Sequence, residues 1–265
     1  TEKLDKTTAT NHRKVSMAKP RDVAAFLADV KDTSGEKKPL EKLPDIIMID
    51  IHPNDATKEL ITANDICGLL RGIADLQGTD GSRKISMIID ITLNQAMDSE
   101  VQGIIRESKP YIADGWLNLV FVQSLTKFAQ MGMDKHSGGL VFSYNKEDDW
   151  RQFNDSLQAG RKADPVDPYM QKYFQMLFDN AAEEQREYIN IIRANTIYVQ
   201  NQLSTKLAGT AITLSDNDDA GSCYVAWRYE VSYNKIRELY KSCGLGGALP
   251  YTLHEFNIAI LERGI

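Results

Sequence analysis

Three short apolar runs constrain this chain more than any other feature: Asp45 to Ile51 (DIIMIDI), Ile85 to Ile91 (ISMIIDI) and Leu117 to Val122 (LNLVFV). Each has strand length and is nearly continuous in apolar residues. Strands of that texture belong in a parallel sheet, whose crossover connections lay helices over both faces. The intervening stretches agree. Ile61 to Leu76 carries Ile66, Leu69, Leu70 and Ile73 at helical spacing, and Asp98 to Ser108 places Val101, Ile104 and Ile105 on one helical face. A fourth run, Leu140 to Tyr144, follows Gly138-Gly139. The pattern predicts an α/β core with a mostly parallel sheet flanked by helices.

The flanks read differently. Residues 1–44 are polar and Lys-rich, with one amphipathic segment around Val23, Ala24, Phe26, Leu27 and Val30 and a charged loop after it. From Asp167 to about Leu207 the pattern is one or two long helices, with Tyr173, Met176, Leu177, Ile191, Ile192 and Tyr198 expected inward. Short strands, Thr210 to Leu214 and Cys223 to Tyr229, then bracket an acidic turn (SDNDDAGS). Helical patterns at Tyr233 to Ser242 and Thr252 to Glu262 flank Gly244-Leu245-Gly246-Gly247. The expected division is a polar N-terminal segment (1–44), an α/β core (45–165), a connecting long helix (166–207) and a small α+β subdomain (208–265).

Composition removes several classes. The chain has 265 residues, 42% hydrophobic and 26% charged, so it can bury a core. With 31 basic and 37 acidic side chains its formal charge is −6, which argues against sequence-independent nucleic-acid binding. No apolar run is long enough to cross a bilayer and no signal-peptide pattern opens the sequence, so a cytoplasmic protein without a membrane partner is expected. Cys67, Cys223 and Cys243 are too few and too widely spaced for a disulfide framework, and His12, His52, His136 and His254 include no i,i+4 ligand pair. No metal site is expected.

Open parallel sheets bind ligands beyond the carboxyl ends of their strands. Three strand ends here turn polar: Asp50-Ile51-His52-Pro53-Asn54, Asp90-Ile91-Thr92 and Ser124-Leu125-Thr126-Lys127. Carboxylate, hydroxyls and lysine converging on one rim suit a phosphorylated cofactor with a basic ring nitrogen. Hydroxyls donate to phosphate, a lysine condenses with an aldehyde, and a carboxylate keeps the ring nitrogen protonated.

On these residues the stretch from Leu43 to Tyr144 resembles the cofactor-binding core of fold-type I pyridoxal-phosphate enzymes, nearest the cystathionine synthase and lyase group of cysteine and methionine metabolism. Asp50-Ile51-His52-Pro53-Asn54-Asp55 resembles that group's acid-x-Pro-x-Asn-Pro pattern in its acid, its asparagine and a proline one place later, with Asp55 in place of the second proline. Asp90-Ile91-Thr92 stands for its Asp-Asn-Thr strand end, and Ser124-Leu125-Thr126-Lys127 for its Ser-x-Thr-Lys. Asp134 and Gly138-Gly139 follow Lys127 by seven, eleven and twelve residues, as in the family. The resemblance implies an aldimine on Lys127, Asp90 on the pyridinium nitrogen, Ser124 and Thr126 on the phosphate, and Thr92 and Asn54 near the ring.

It also implies elimination or replacement on a sulfur-containing amino acid, pyridoxal 5'-phosphate as cofactor, and a homodimer or tetramer. The part of the large domain that precedes the first strand in the family has no counterpart in residues 1–44, so an incomplete large domain is expected. Two rival readings stand beside this one. A degenerate or truncated scaffold of the same fold would serve as an interaction module. Alternatively, Ser124-Leu125-Thr126-Lys127 with Ser215-Asp216-Asn217 matches two of the three elements of the acyl-serine hydrolases.

Overall fold

The apolar runs form adjacent strands of one sheet. A computed structural model describes residues 20–31, 43–51, 61–78, 83–126, 128–208, 212–214 and 227–229. In it β1 (Ile46–Asp50), β2 (Ile85–Asp90) and β3 (Leu117–Ser124) are parallel neighbours. β4 (Gly139–Tyr144) pairs antiparallel with β3, giving the order β1-β2-β3-β4. The register aligns Ile47 with Met87 and Leu119, and Ile49 with Ile89 and Phe121. The fold is therefore α/β with a mostly parallel sheet.

Helices α1 (Pro20–Lys31), α2 (Ala63–Gln77) and α3 (Ser99–Ala113) accompany the sheet. α2 starts where Thr62 and Asp65 form a capping box: Thr62 N–H donates to Asp65 Oδ2 at 2.8 Å, and Asp65 N–H donates to Thr62 Oγ1 at 3.3 Å. It stops at Gly78, whose φ of 55° suits glycine. Because successive crossovers step in one direction across the sheet, right-handed connections keep their helices on one face. The core lies there: Val23, Phe26 and Val30 of α1, Ile66 to Ile73 of α2, and Val101 and Ile104 of α3 cluster with the aligned strand residues. Burying each of these branched side chains contributes roughly 1.5–3 kcal/mol. α1 approaches α2 closely at Gly72, where a Cβ would stand 2.4 Å from Leu27 Cδ1.

The opposite face differs from the expectation of cover on both sides. β3 is buried along nearly its whole length, but β1 leaves Ile46 48% and Met48 67% exposed. That face also holds a polar inclusion. Fully buried Asn118 donates to Ser86 Oγ (3.2 Å) and accepts from Asn145 Nδ2 (2.9 Å), so its amide is satisfied on both arms.

The chain forms two compact units. The first comprises Thr1–Ile51, Ile61–Ser124 and Gly139–Gln171 and holds the sheet; the second comprises His52–Leu60, Leu125–Gly138 and Lys172–Ile265. α4 (Arg151–Ala163), with no buried residue, belongs to the first, and α5 (Pro168–Asn180) begins there and ends in the second. The second unit also holds α6 (Ala182–Leu207) and the antiparallel pair β5 (Ile212–Leu214) and β6 (Trp227–Tyr229). The expected inward positions of α5 and α6 need correction. Leu177 is buried, but Met176, Ile191 and Tyr198 are exposed, and the buried set is Phe174, Gln185, Ile189 and Thr196. Two of those are polar, so a reading of apolar spacing alone places the inward stripe wrongly.

Several expected features lie outside the described residues: Asn54 and Lys127, His52, Cys223 and Cys243, the acidic turn, the loop after α1, and the helical patterns beyond Tyr229.

Candidate functional site at the strand ends

Parallel register sets the chemistry of the rim. It pairs Asp50 with Asp90, so two carboxylates stand side by side at the carboxyl ends of β1 and β2. Beyond β2 the chain turns at once. Asp90 Oδ1 accepts from Thr92 N–H at 2.8 Å and from Thr92 Oγ1 at 2.6 Å. Thr92 Oγ1 in turn accepts from Ser124 N–H, at the end of β3, at 3.0 Å. A continuous hydrogen-bond chain therefore runs Ser124 N–H to Thr92 hydroxyl to Asp90 carboxylate. It is reinforced by Gln123 Nε2, which donates to the carbonyl of buried Asn94 at 3.0 Å, and by Ile91 N–H to Val122 O at 2.9 Å.

The structure thus brings together three of the predicted residues, Asp90, Thr92 and Ser124. Thr92 does so as a tie between the two others, through both its backbone and its hydroxyl. Thr126 belongs to the second unit, in the turn described next, and Asn54 and Lys127 lie outside the described residues.

Past Ser124 the chain enters a turn from Leu125 to Gly138 that is closed by Leu125 N–H donating to Gly138 O at 2.9 Å. Its short 3-10 segment, Phe128–Gln130, is wholly buried. Met131 (φ 53°), Gly132 (φ 75°) and Asp134 (φ 48°) take left-handed backbone, a costly conformation for the two non-glycines. Gln130 organises the turn. Its Nε2 donates to the carbonyls of Leu125 (2.7 Å), Thr126 (3.0 Å) and His136 (2.6 Å). Its Oε1 accepts from Lys135 N–H (3.0 Å) and His136 N–H (3.1 Å). From α6, buried Gln185 donates to Ala129 O at 2.7 Å. His136 rests edge-on against Tyr173, 4.9 Å between ring centroids.

Sequence reasoning missed Gln130, Gln123, Asn94 and Gln185. Glutamine and asparagine are ordinary surface residues, and no spacing marks these four as buried; only the backbone groups they meet, within the turn for Gln130 and 29 or 56 residues away for Gln123 and Gln185, make burial favourable.

A pyridoxal-type cofactor needs an acid oxygen to meet its ring nitrogen, and the end of β2 offers one. Both of Thr92's bonds fall on Asp90 Oδ1, and among the described residues no hydrogen bond reaches Oδ2. That oxygen remains for a protonated ring nitrogen. Elsewhere, burial pushes the Cys67 thiol on α2 and the Tyr111 phenol on α3 above their ordinary values. Among the described residues no group of three His, Cys, Asp or Glu side chains is placed to hold a metal ion. An open groove of about 590 Å³ lies between α3 and the β4–α4 connection, lined by Lys109, Ile112, Tyr144, Asn145 and Asn154. Its Asn145 and Asn154 amides hydrogen-bond each other at 3.0 Å.

No helix among the described residues is long and apolar enough to cross a membrane. No known family model matches the sequence, and no curated protein matches it significantly.

Proposed function

We propose that the chain binds pyridoxal 5'-phosphate on Lys127 and acts in elimination or replacement on a sulfur-containing amino acid. The observation that carries this reading is the Ser124–Thr92–Asp90 hydrogen-bond chain across the carboxyl ends of adjacent parallel strands. It joins two of the motifs that the resemblance to fold-type I enzymes rests on, and it leaves one oxygen of the strand-end acid for a ligand.

When bound, the cofactor supplies an electron sink for charge developing at the amino acid's α-carbon. The chain's own residues do the rest. Asp90 Oδ2 would accept the ring N–H, while Thr92 holds Oδ1 and so fixes the plane of the carboxylate. Ser124 and Thr126 hydroxyls would donate to the phosphate, and Asn54 would serve the ring. Lys127 Nζ would take the substrate's α-proton. A second copy of the chain completes the pocket in this reading.

Adding pyridoxal 5'-phosphate to the full chain is expected to give a visible absorption band that the free cofactor lacks, and Lys127→Ala removes it. Absence of that band in the wild-type protein overturns the reading. If a β-lactam instead labels Ser124 stoichiometrically, the acyl-serine reading replaces it; if neither reagent reacts, the scaffold reading does.

A further inference from the structure

We propose that the outer face of α6 is an interface between two copies of this chain, packed as antiparallel helices about a two-fold axis. This interface needs only α6 and is independent of the cofactor reading. The helix runs 26 residues, from Ala182 to Leu207. Its inward stripe includes Gln185, Ile189 and Thr196, all buried. On the opposite side Ile191, Ala194 and Tyr198, at positions i, i+3 and i+7, share one outward stripe. Ile191 is 51% and Tyr198 64% exposed, and Ala194 between them is exposed too. Single apolar side chains at a surface are ordinary. An aligned stripe with a small residue at its middle is what lets two helices approach closely.

Symmetry names the partner. A two-fold interface is complementary to itself, so each group meets its counterpart at the mirrored position. Ile191 and Tyr198 are equidistant from the point between Ala194 and Asn195. An axis through that point sets Ile191 level with the partner's Tyr198, twice over, with the small Ala194 side chains where the helices cross. The charges at the helix ends obey the same axis. Glu184 in the first turn and Lys206 in the last are exposed, and neither has an ion pair or hydrogen bond among the described residues. They stand close to six turns apart, on one side of the stripe. The axis brings Glu184 to within one residue's rise, about 1.5 Å, of the level of the partner's Lys206. Glu183, by contrast, already pairs with Arg186 at 3.3 Å. A partner of different sequence would require none of these mirrored matches.

Sedimentation velocity of the full chain without added cofactor, over about 1–100 µM, is expected to show a reversible monomer–dimer equilibrium. Ala194→Glu sets two carboxylates against each other at the axis and is expected to weaken dimerisation at least about tenfold. Circular dichroism reports whether that variant is folded, and Tyr198→Gln takes its place should it not be. Glu184→Lys is expected to weaken dimerisation about threefold or more, and adding Lys206→Glu restores it, because the pair is then only exchanged. Ala194→Cys is expected to form a disulfide with its own copy across the axis. Thr205→Cys, whose copies stand about 30 Å apart in this arrangement, is not. Digestion of the oxidised chains maps the linked peptides. A monomer at every concentration, a dimer indifferent to the outward-face variants, no rescue by the double reversal, or a disulfide between the Thr205→Cys copies overturns the proposal.

Discussion

Thr92 is the smallest unit in which this protein's rim can be understood. Its hydroxyl donates to Asp90 Oδ1 and accepts from Ser124 N–H, so one oxygen atom joins the ends of two strands. A threonine after a strand is ordinary turn chemistry, and its own N–H bond to Asp90 is the usual local form. The bond to Ser124, 32 residues away, is not local. Thr92→Val removes that acceptor and the hydroxyl donor together, and is expected to cost about 1–2 kcal/mol in urea denaturation, whereas Thr92→Ser stays within about 0.5 kcal/mol. Asp90, Thr92 and Ser124 were each legible in the sequence as strand-end polar residues. That Thr92 ties the other two rather than simply facing a ligand was not, because register decides it.

At the scale of elements, the turn from Leu125 to Gly138 combines left-handed backbone at Met131 and Asp134 with a buried glutamine at its centre. Such backbone persists where surrounding bonds over-determine it, and the five backbone groups held by Gln130 do that here. The turn's exit depends on Gly138, where a Cβ would stand 2.6 Å from Phe174 Cε2 of α5. Gly138→Ala is therefore expected to destabilise by about 1–3 kcal/mol, through overpacking against a buried ring. Phe174→Leu in the same chain should recover part of that loss, so the two denaturant midpoints combine non-additively. The sequence showed Gly138-Gly139 as a spacing motif, and the helix pattern after Asp167 was equally visible. The inward stripe was misplaced because Gln185 and Thr196 are buried for the hydrogen bonds they make, and hydrophobic periodicity does not register polar residues.

Taken as a whole, the sheet carries α1, α2 and α3 and the main core on one face, where they meet the aligned positions of β1, β2 and β3. The consequence is an asymmetry between the two faces of adjacent strands. Met87 is 0% exposed on the helix-covered side and Met48 is 67% exposed on the other. Met87→Ala should cost about 2–5 kcal/mol, and Met48→Lys should change stability by no more than about 0.5 kcal/mol, both read from denaturant unfolding of the full chain. A similar cost for the two substitutions would mean that the face bearing Met48 is covered in solution.

The sequence by itself determined the class: near-continuous apolar runs of strand length, separated by amphipathic helical stretches, have few ways to bury themselves other than a mostly parallel sheet with crossover helices. It also determined which residue types stand at the strand ends. Tertiary structure alone decided which of them meet, because strand register and the folding back of a turn bring together groups tens of residues apart. It likewise decided that only one face of β1 is covered. Apolar side chains report that they avoid water, but the direction of the crossovers, not the side chains, chooses the face that receives the helices.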